Sequence, residues 1–325
     1  MIADQHPAAY HGAGWRPRTT SLAQEVAAGR LWARHAGDSE YARLRDVVLA
    51  PPDPALISPE DPDRVLHLRP LDFGAVHREL LDAAAGFQEL GIAVHFLETG
   101  RRTRPDDGPW HNLMFVRDLF FMTPQGAIVS RMGSSVRAGE ERYAARTLAE
   151  LEVPVLRTIA GNGTFEGADA LWIAADTLLV GTGNRTNAEG LRQVAESLTP
   201  SGVTVAGTVL PKRIQHLLGI LQPVDRDLAV VRRELVGPRL RGILRDLGVS
   251  LIELDEDAEI GRAQAMNFVT IAPRTVVMAA DAPETRRRLE QEGITVAGQV
   301  RIDELRKAAG GLACATGILS RDLVG

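Results

Sequence analysis

Apolar and polar positions along the chain fall into one pattern that recurs from Asn112 onward at a period of about fifty residues. Each copy reads as a short apolar strand, a tight turn, a second strand, a helical segment with apolar spacings of three and four, and a third strand. The first copy is "LFFMTPQGAIVSRM", "EERYAARTLAEL" and "VPVLRT"; the second is "DALWIAADTLLVGTG", "AEGLRQVAESL" and "VTVAG". The third runs "HLLGILQPVDRDLAVV", "GPRLRGILRDL" and "VSLIEL", and the fourth "NFVTIAPRTVVMAA", "APETRRRLEQ" and "ITVAG". A fifth copy is split, with "CATGIL" at the C-terminus supplying its first strand and "LRDVVLAP", "AVHRELLDAAAGFQEL" and "IAVHFLE" near the N-terminus supplying the rest.

A unit this small cannot bury its own apolar face, so the copies must pack on one another, and a copy shared between the termini closes the ring. The pattern therefore predicts an α/β fold of five blades, an α/β propeller with pseudo-fivefold symmetry about a central channel. A doubly wound parallel sheet also alternates strands and helices, but the paired strands before each helix disfavour it. "GTGNRTN" (Gly181–Asn187) lacks the third glycine of a dinucleotide fingerprint. Residues 1–44 stand outside the repeat as an N-terminal extension of unassigned role, with helical potential around "LAQEVAAGRLWARHA"; residues 45–325 read as a single catalytic domain.

The leading edge of each copy carries polar residues that an apolar strand does not need: Asn112 and Asp118, Glu166 and Asp169, His216, Asn267, and Cys314. Taken singly, each has a plainer reading as a turn carboxylate, a satisfied core histidine or a buried thiol. In a closed ring, equivalent positions converge on the axis. That gathers a thiol, an imidazole and at least two carboxylates in one pocket. Such a set suits thiolate attack on a planar cationic carbon: carboxylates hold a guanidinium or amidinium, the thiol attacks the central carbon, and the histidine moves protons. A protease-like Cys/His pair would need an oxyanion hole and no anionic floor.

Composition narrows the partners. A net charge of −5 argues against a nucleic-acid footprint, and the run "RRTR" (Arg101–Arg104) reads as a solvated loop. The single cysteine excludes an internal disulfide framework and fits a reducing compartment, so the chain is read as cytoplasmic. The N-terminus lacks the flank and apolar core of a secretory signal, and no apolar run is long enough to span a bilayer. The expected partner is a small-molecule guanidino substrate, with no nucleic acid, no membrane, no metal and no cofactor; self-association into a homo-oligomer is left open.

With "SEYARLRDVVLAPP", "NLMFVRD", "RMGSSVRAGEE", "GTFEGAD", "GTGNRTN", "HLLGILQPVDRD", "NFVTIAP" and "GGLACATGILSRD" occurring in order, the chain resembles the guanidino-group modifying enzymes. This superfamily includes arginine deiminases, dimethylarginine dimethylaminohydrolases and amidinotransferases, and the likeness runs from about residue 40 to the C-terminus. The resemblance implies Cys314 as nucleophile, His216 as general acid/base, and Asp118 and Glu166 as the guanidinium grip, with Glu166 also orienting His216. It further implies Asn112, Arg137 and Arg185 at the substrate carboxylate, and Asp169 at the substrate's amino end or the loop. Arg137 lies 19 residues past Asp118, and Arg185 lies 19 past Glu166.

One position departs from the deiminase pattern. Deiminases and amidinotransferases read His-Leu-Asp at the histidine, whereas Leu218 stands in place of that aspartate here. Losing the carboxylate makes room for an apolar substituent, as in dimethylaminohydrolases, and makes an N-substituted arginine a credible substrate. The reading is a hydrolase giving citrulline plus ammonia or an alkylamine. The alternative is an amidinotransferase that passes the amidino group to an amine. An arginine dihydrolase would carry asparagine at Asp118, and a non-catalytic relative would need no nucleophile.

Overall fold

A computed structural model describes residues 6–99 and 109–325; the Arg101–Arg104 run lies outside the described residues. In chain order the structure holds α1 (Leu22–Ala28), β1 (Leu44–Leu49), α2 (Phe73–Glu89) and β2 (Ala93–Phe96). Then come β3 (Phe120–Thr123), β4 (Gly126–Val129), α3 (Glu141–Glu150) and β5 (Val155–Thr158), followed by β6 (Ala170–Ala174), β7 (Thr177–Thr182), α4 (Ala188–Leu198) and β8 (Thr204–Val209). The rest comprises β9 (Leu221–Asp225), β10 (Leu228–Arg232), α5 (Pro238–Asp246) and β11 (Ser250–Leu254), then α6 (Ala258–Gly261), β12 (Val269–Ala272), β13 (Thr275–Ala279), α7 (Pro283–Gln291), β14 (Thr295–Val300), α8 (Leu312–Ala315) and β15 (Gly317–Arg321).

The strands form five three-stranded sheets of one design. In each, a first strand pairs antiparallel with a second, and a helical crossover brings the third back parallel to the second. The fifth sheet is the split one: β15 pairs antiparallel with β1, which pairs parallel with β2. The expected five-unit α/β architecture is therefore present. First strands β3, β6 and β9 are buried almost throughout, whereas third strands such as β5 and β14 are mostly exposed or half-buried. This gradient runs from the middle of the molecule to its rim. First strands meet around the ring, β15 against β3, β6 against β9 and β9 against β12, with β12 touching β1, so the blade shared by the termini closes the circle.

The largest apolar cluster joins α2 residues Phe73, Val76, Leu80 and Phe87 to strands of several blades, so the core belongs to the ring rather than to any one blade. In the extension the helix stops at Ala28 rather than running through "GRLWARHA". Gly29 takes a left-handed φ of 63° there, and its N–H bonds back to the Glu25 and Val26 carbonyls. Residues 36–42 are buried. Asp38 accepts from the amides of Val324 and Gly325, Glu40 pairs with buried Arg117 at 3.0 Å, and Arg321 donates to the Ala42 carbonyl at 2.6 Å. Among the described residues no helix is long and apolar enough to cross a membrane.

Candidate active site

Each blade sends a short turn into the middle of the ring just before its first strand. Asp118 ends the turn Val116–Asp118 ahead of β3, Glu166 caps the turn Gly167–Asp169 ahead of β6, and His216 caps Leu217–Gly219 ahead of β9. Asn267 precedes β12, and Cys314 lies on the one-turn helix α8 ahead of β15. The turns approach one another so closely that side chains are excluded. A Cβ on Gly167 would lie 2.3 Å from the Phe120 carbonyl oxygen, and one on Gly310 would lie 2.1 Å from the Phe115 ring. That contact explains the small residues before Cys314: they let its helix seat against a neighbouring blade.

Asn267 fixes the thiol. Its amide Nδ2 lies 3.0 Å from Cys314 Sγ, and its Oδ1 accepts from the Cys314 amide at 3.1 Å. Burial and the Asp118 carboxylate push the thiol above its ordinary pKa, against the opposing effects of Asn267 and Arg137. His216 Nε2 lies 2.7 Å from Glu166 Oε2, and His216 Nδ1 lies 3.8 Å from Asp118 Oδ1. Burial disfavours charge on this imidazole, but Asp118, the Glu166 hydrogen bond and Asp169 outweigh it and raise the pKa to about 9. At neutral pH His216 is an imidazolium ready to donate. Glu166 is fully buried, which favours its neutral form, yet His216, Arg137 and Arg185 hold its pKa well below the usual carboxylate range.

The two carboxylates expected to grip a guanidinium are not equivalent. Glu166 spends Oε2 on His216 and Oε1 on the Gly133 amide at 2.9 Å, so its role in this state is to orient the imidazole. Asp118 accepts from Arg137 through Oδ2, while its buried Oδ1 has no hydrogen-bond partner. An orphaned carboxylate oxygen facing a thiol and an imidazole is an acceptor awaiting a donor. Donor atoms of Asp118, Glu166 and His216 lie within 4.8 Å of one another, close enough for a metal. Two guanidinium groups already stand against these carboxylates, which makes the cluster a better host for a planar organic cation.

The remaining expected residues divide. Asn112 lines a small cavity with Asp118, Arg137, Arg185 and Cys314, but its amide nitrogen is committed to the Val65 carbonyl at 2.8 Å. Asp169, expected at the substrate's amino end or the loop, lines neither this cavity nor the adjoining larger one; it accepts from the Leu217 amide at 3.0 Å and so holds the loop backbone beside His216. Its burial raises its pKa to about 7. Arg137 is buried and saturated with protein acceptors, whereas Arg185 keeps an Nη1 without a hydrogen bond. Sequence reasoning missed Glu140, which takes the Arg137 Nε at 2.8 Å, and Gln215, which stands by Arg185 at 3.5 Å and lines both cavities. The spacing of three from Arg137 to Glu140 was the available signal for the first. Asn267 was placed correctly at a leading edge, without its hold on the thiol.

The arginine deiminase family model matches residues 107–246. N(G),N(G)-dimethylarginine dimethylaminohydrolase of Pseudomonas aeruginosa is 28% identical over 211 residues, 65% of this chain and 78% of that protein. Among solved structures, that organism's dimethylarginine dimethylaminohydrolase, as a mutant complexed with citrulline, superposes with a TM-score of 0.68 at 23% identity, over 85% of this chain and 99% of that one. The inosamine-phosphate amidinotransferase of Streptomyces griseus gives 0.69 at 18% identity, over 88% and 97%. By family model, curated relatives and solved structures alike, the chain is similar to the guanidino-group modifying enzymes. Beside the Cys314 thiol the centre of the ring holds open space. A cavity of about 180 Å³ opens between His216, Leu218, Met266, Asn267 and Cys314, and buried Leu218 supplies part of its apolar wall.

Proposed function

We propose that the protein is a cysteine-dependent hydrolase of the guanidino group of arginine or an N-substituted arginine, with Cys314, His216, Asp118 and Glu166 as its catalytic set. The observation that carries this is the convergence of a thiol, an imidazole and a carboxylate oxygen unpartnered among the described residues, from three blades, on one buried pocket. The substrate guanidinium donates to Asp118 Oδ1, and its positive charge beside the thiol lowers the thiol pKa, so that Cys314 gives up its proton to solvent, His216 being protonated already. The Cys314 thiolate attacks the guanidino carbon and forms a C–S bond. His216 gives its proton to the departing nitrogen as the C–N bond breaks, releasing ammonia or an alkylamine and leaving an S-linked thiouronium. Water then loses a proton to His216 and attacks the same carbon. The hydroxyl so formed passes its proton through solvent to the released ammonia or amine, the C–S bond breaks, citrulline leaves, and the thiolate returns.

Arg185, which lines the smaller cavity and is less tied to protein acceptors than Arg137, is the group suited to the substrate carboxylate, and Asn112 borders the same space. Leu218 offers no charge to the outer guanidino nitrogen and leaves space for an alkyl group, which favours a substituted arginine. The lone thiol suits a reducing cytoplasmic setting. The test is mass spectrometry of products from arginine and N-methylated arginines, with and without glycine, ornithine or lysine as acceptor. Citrulline without acceptor dependence is expected, together with at least equal kcat/KM for the substituted substrate. An amidino group found on the acceptor would establish the transferase instead. Cys314→Ser should abolish turnover, and near wild-type activity in that variant would overturn the covalent route.

A further inference from the structure

A second cluster of ligating side chains lies away from the catalytic pocket, on the blade shared by the two termini. Asp46 sits on β1 and His95 on β2, and the parallel register sets His95 opposite Val48, which makes Asp46 and His95 diagonal neighbours. His35 comes from the N-terminal extension. The residues flanking it are tied to the C-terminal strand: Ser320 Oγ donates to the Arg34 carbonyl at 3.4 Å, and the Arg321 amide donates to the Ala36 carbonyl at 2.9 Å. His35 is thereby presented to Asp46 from a fixed backbone. Three segments distant in sequence meet at one point.

From this arrangement we infer that His35, Asp46 and His95 form a binding site for a divalent transition-metal ion of the zinc class, one that fastens the N-terminal extension to the ring. The ligand atoms lie within 4.8 Å of one another: His95 Nε2 is 3.0 Å from Asp46 Oδ1, and His35 Nδ1 is 3.8 Å from Asp46 Oδ2. Donors around a tetrahedral zinc at its usual bond lengths are about 3.3 Å apart; the His95 separation, a hydrogen bond to Oδ1, is a little shorter than that and the His35 separation, to Oδ2, a little longer. A gap of 3.8 Å is too long for a hydrogen bond, and buried His35 Nδ1 has no hydrogen-bond partner among the described residues. A metal ion would satisfy that nitrogen and bridge the gap. Side-chain exposures of 15%, 19% and 28% leave room for water to complete the coordination. Two imidazoles and one carboxylate select zinc, cobalt or nickel over calcium or magnesium, which prefer all-oxygen shells.

The test is calorimetric titration of Zn²⁺ into chelator-stripped, full-length protein. It uses a Cys314→Ser background, so that the catalytic thiol contributes nothing, and compares this protein with its His35→Gln and His95→Gln derivatives. The Cys314→Ser protein should take up one equivalent of zinc that each derivative loses, and zinc should raise its Tm but not theirs. With Cys314 intact, His35→Gln should keep turnover, because His35 lies outside the catalytic machinery. Equal zinc uptake with and without the two substitutions, or no uptake at all, would overturn the site. If His95→Gln fails to fold, His35→Gln decides alone, since it changes only the extension.

Discussion

Arg137 and Arg185 occupy the same place in successive blades, each 19 residues past an active-site carboxylate, and yet they do opposite things. Arg137 is turned inward, its side chain 3% exposed. Nε donates to Glu140 at 2.8 Å, Nη1 to Asp118, and Nη2 to the Asn112 and Phe115 carbonyls at 3.3 Å each. Arg185 is 13% exposed and, among the described residues, makes its polar contacts with Gln215 and Glu166, both at 3.5 Å. Three residues further on, the first blade has Glu140, 1% exposed, and the second has Ala188, which is exposed. One buried acid converts a repeat-equivalent arginine from a cavity-lining arm into an internal clamp. Equivalent positions guarantee a shared direction of approach, and the neighbours decide what the side chain does on arrival.

The largest effect that separates the pair is on stability. Arg137→Ala would leave Asp118 and Glu140 buried beside one another without their cation, a kind of loss that costs about 3–5 kcal/mol. Urea unfolding should register it, and turnover should fall with it. Arg185→Ala should unfold within about 1 kcal/mol of wild type. Its cost should lie in kcat/KM for arginine-like substrates, by roughly 10- to 150-fold, the equivalent of about 1.5–3 kcal/mol for a lost charge-assisted contact. Agmatine, which has no carboxylate, should be affected little. Equal losses of stability in the two variants would erase the distinction.

The carboxylates that face these arginines differ in the same sense, and pH should reveal it. His216 has a folded-state pKa of about 9, above the ordinary histidine value near 6.5. Its contribution to stability is therefore whole below about 6.5 and is lost as pH rises through about 9. In a Cys314→Ser background, NMR titration of the His216 imidazole should give a midpoint near 9. Glu166→Gln should lower it by at least about one unit, because the hydrogen-bonded charge on Nε2 is removed. A midpoint unmoved by that change would transfer control of the histidine to Asp118, the partner of Arg137.

The five units were legible in the sequence because burial grades from the first strand to the third. First strands, buried on both faces, write continuous apolar runs such as "LFF" before "MTPQG", and the amphipathic crossovers write spacings of three and four. Leading-edge polar residues were legible for the same reason: Asp118, Glu166, His216, Asn267 and Cys314 interrupt those runs at matched places. Other roles depended on where a single carboxylate turns. Asp169, read as serving either the substrate's amino end or the loop, holds the Leu217 amide of the loop, and the saturation of Arg137 follows from the burial of Glu140. Periodicity carries no information on either. The extension was opaque because Asp38, Glu40 and Arg321 attach it through backbone groups and buried ions rather than through an apolar stripe.

The smallest effect comes from carrying the acid across. Ala188→Glu gives the second blade a carboxylate three residues past its arginine, at the first position of α4, just after the Asn187 cap. An acid at the start of a helix is favourable by about 0.3–1 kcal/mol, so the variant should unfold no more easily than wild type. Ala188 is exposed, however, and a solvated ion pair is worth only about 0.2–1 kcal/mol, far less than the buried clamp around Arg137. The new carboxylate can therefore draw Arg185 from the pocket only part of the time. KM for arginine-like substrates should rise by a factor of at most about five with kcat unchanged, and raising the salt concentration should restore it. If KM is unchanged at low salt while Arg185→Ala still raises it, the inward turn of Arg137 depends on the burial of Glu140 and not on its spacing from the arginine.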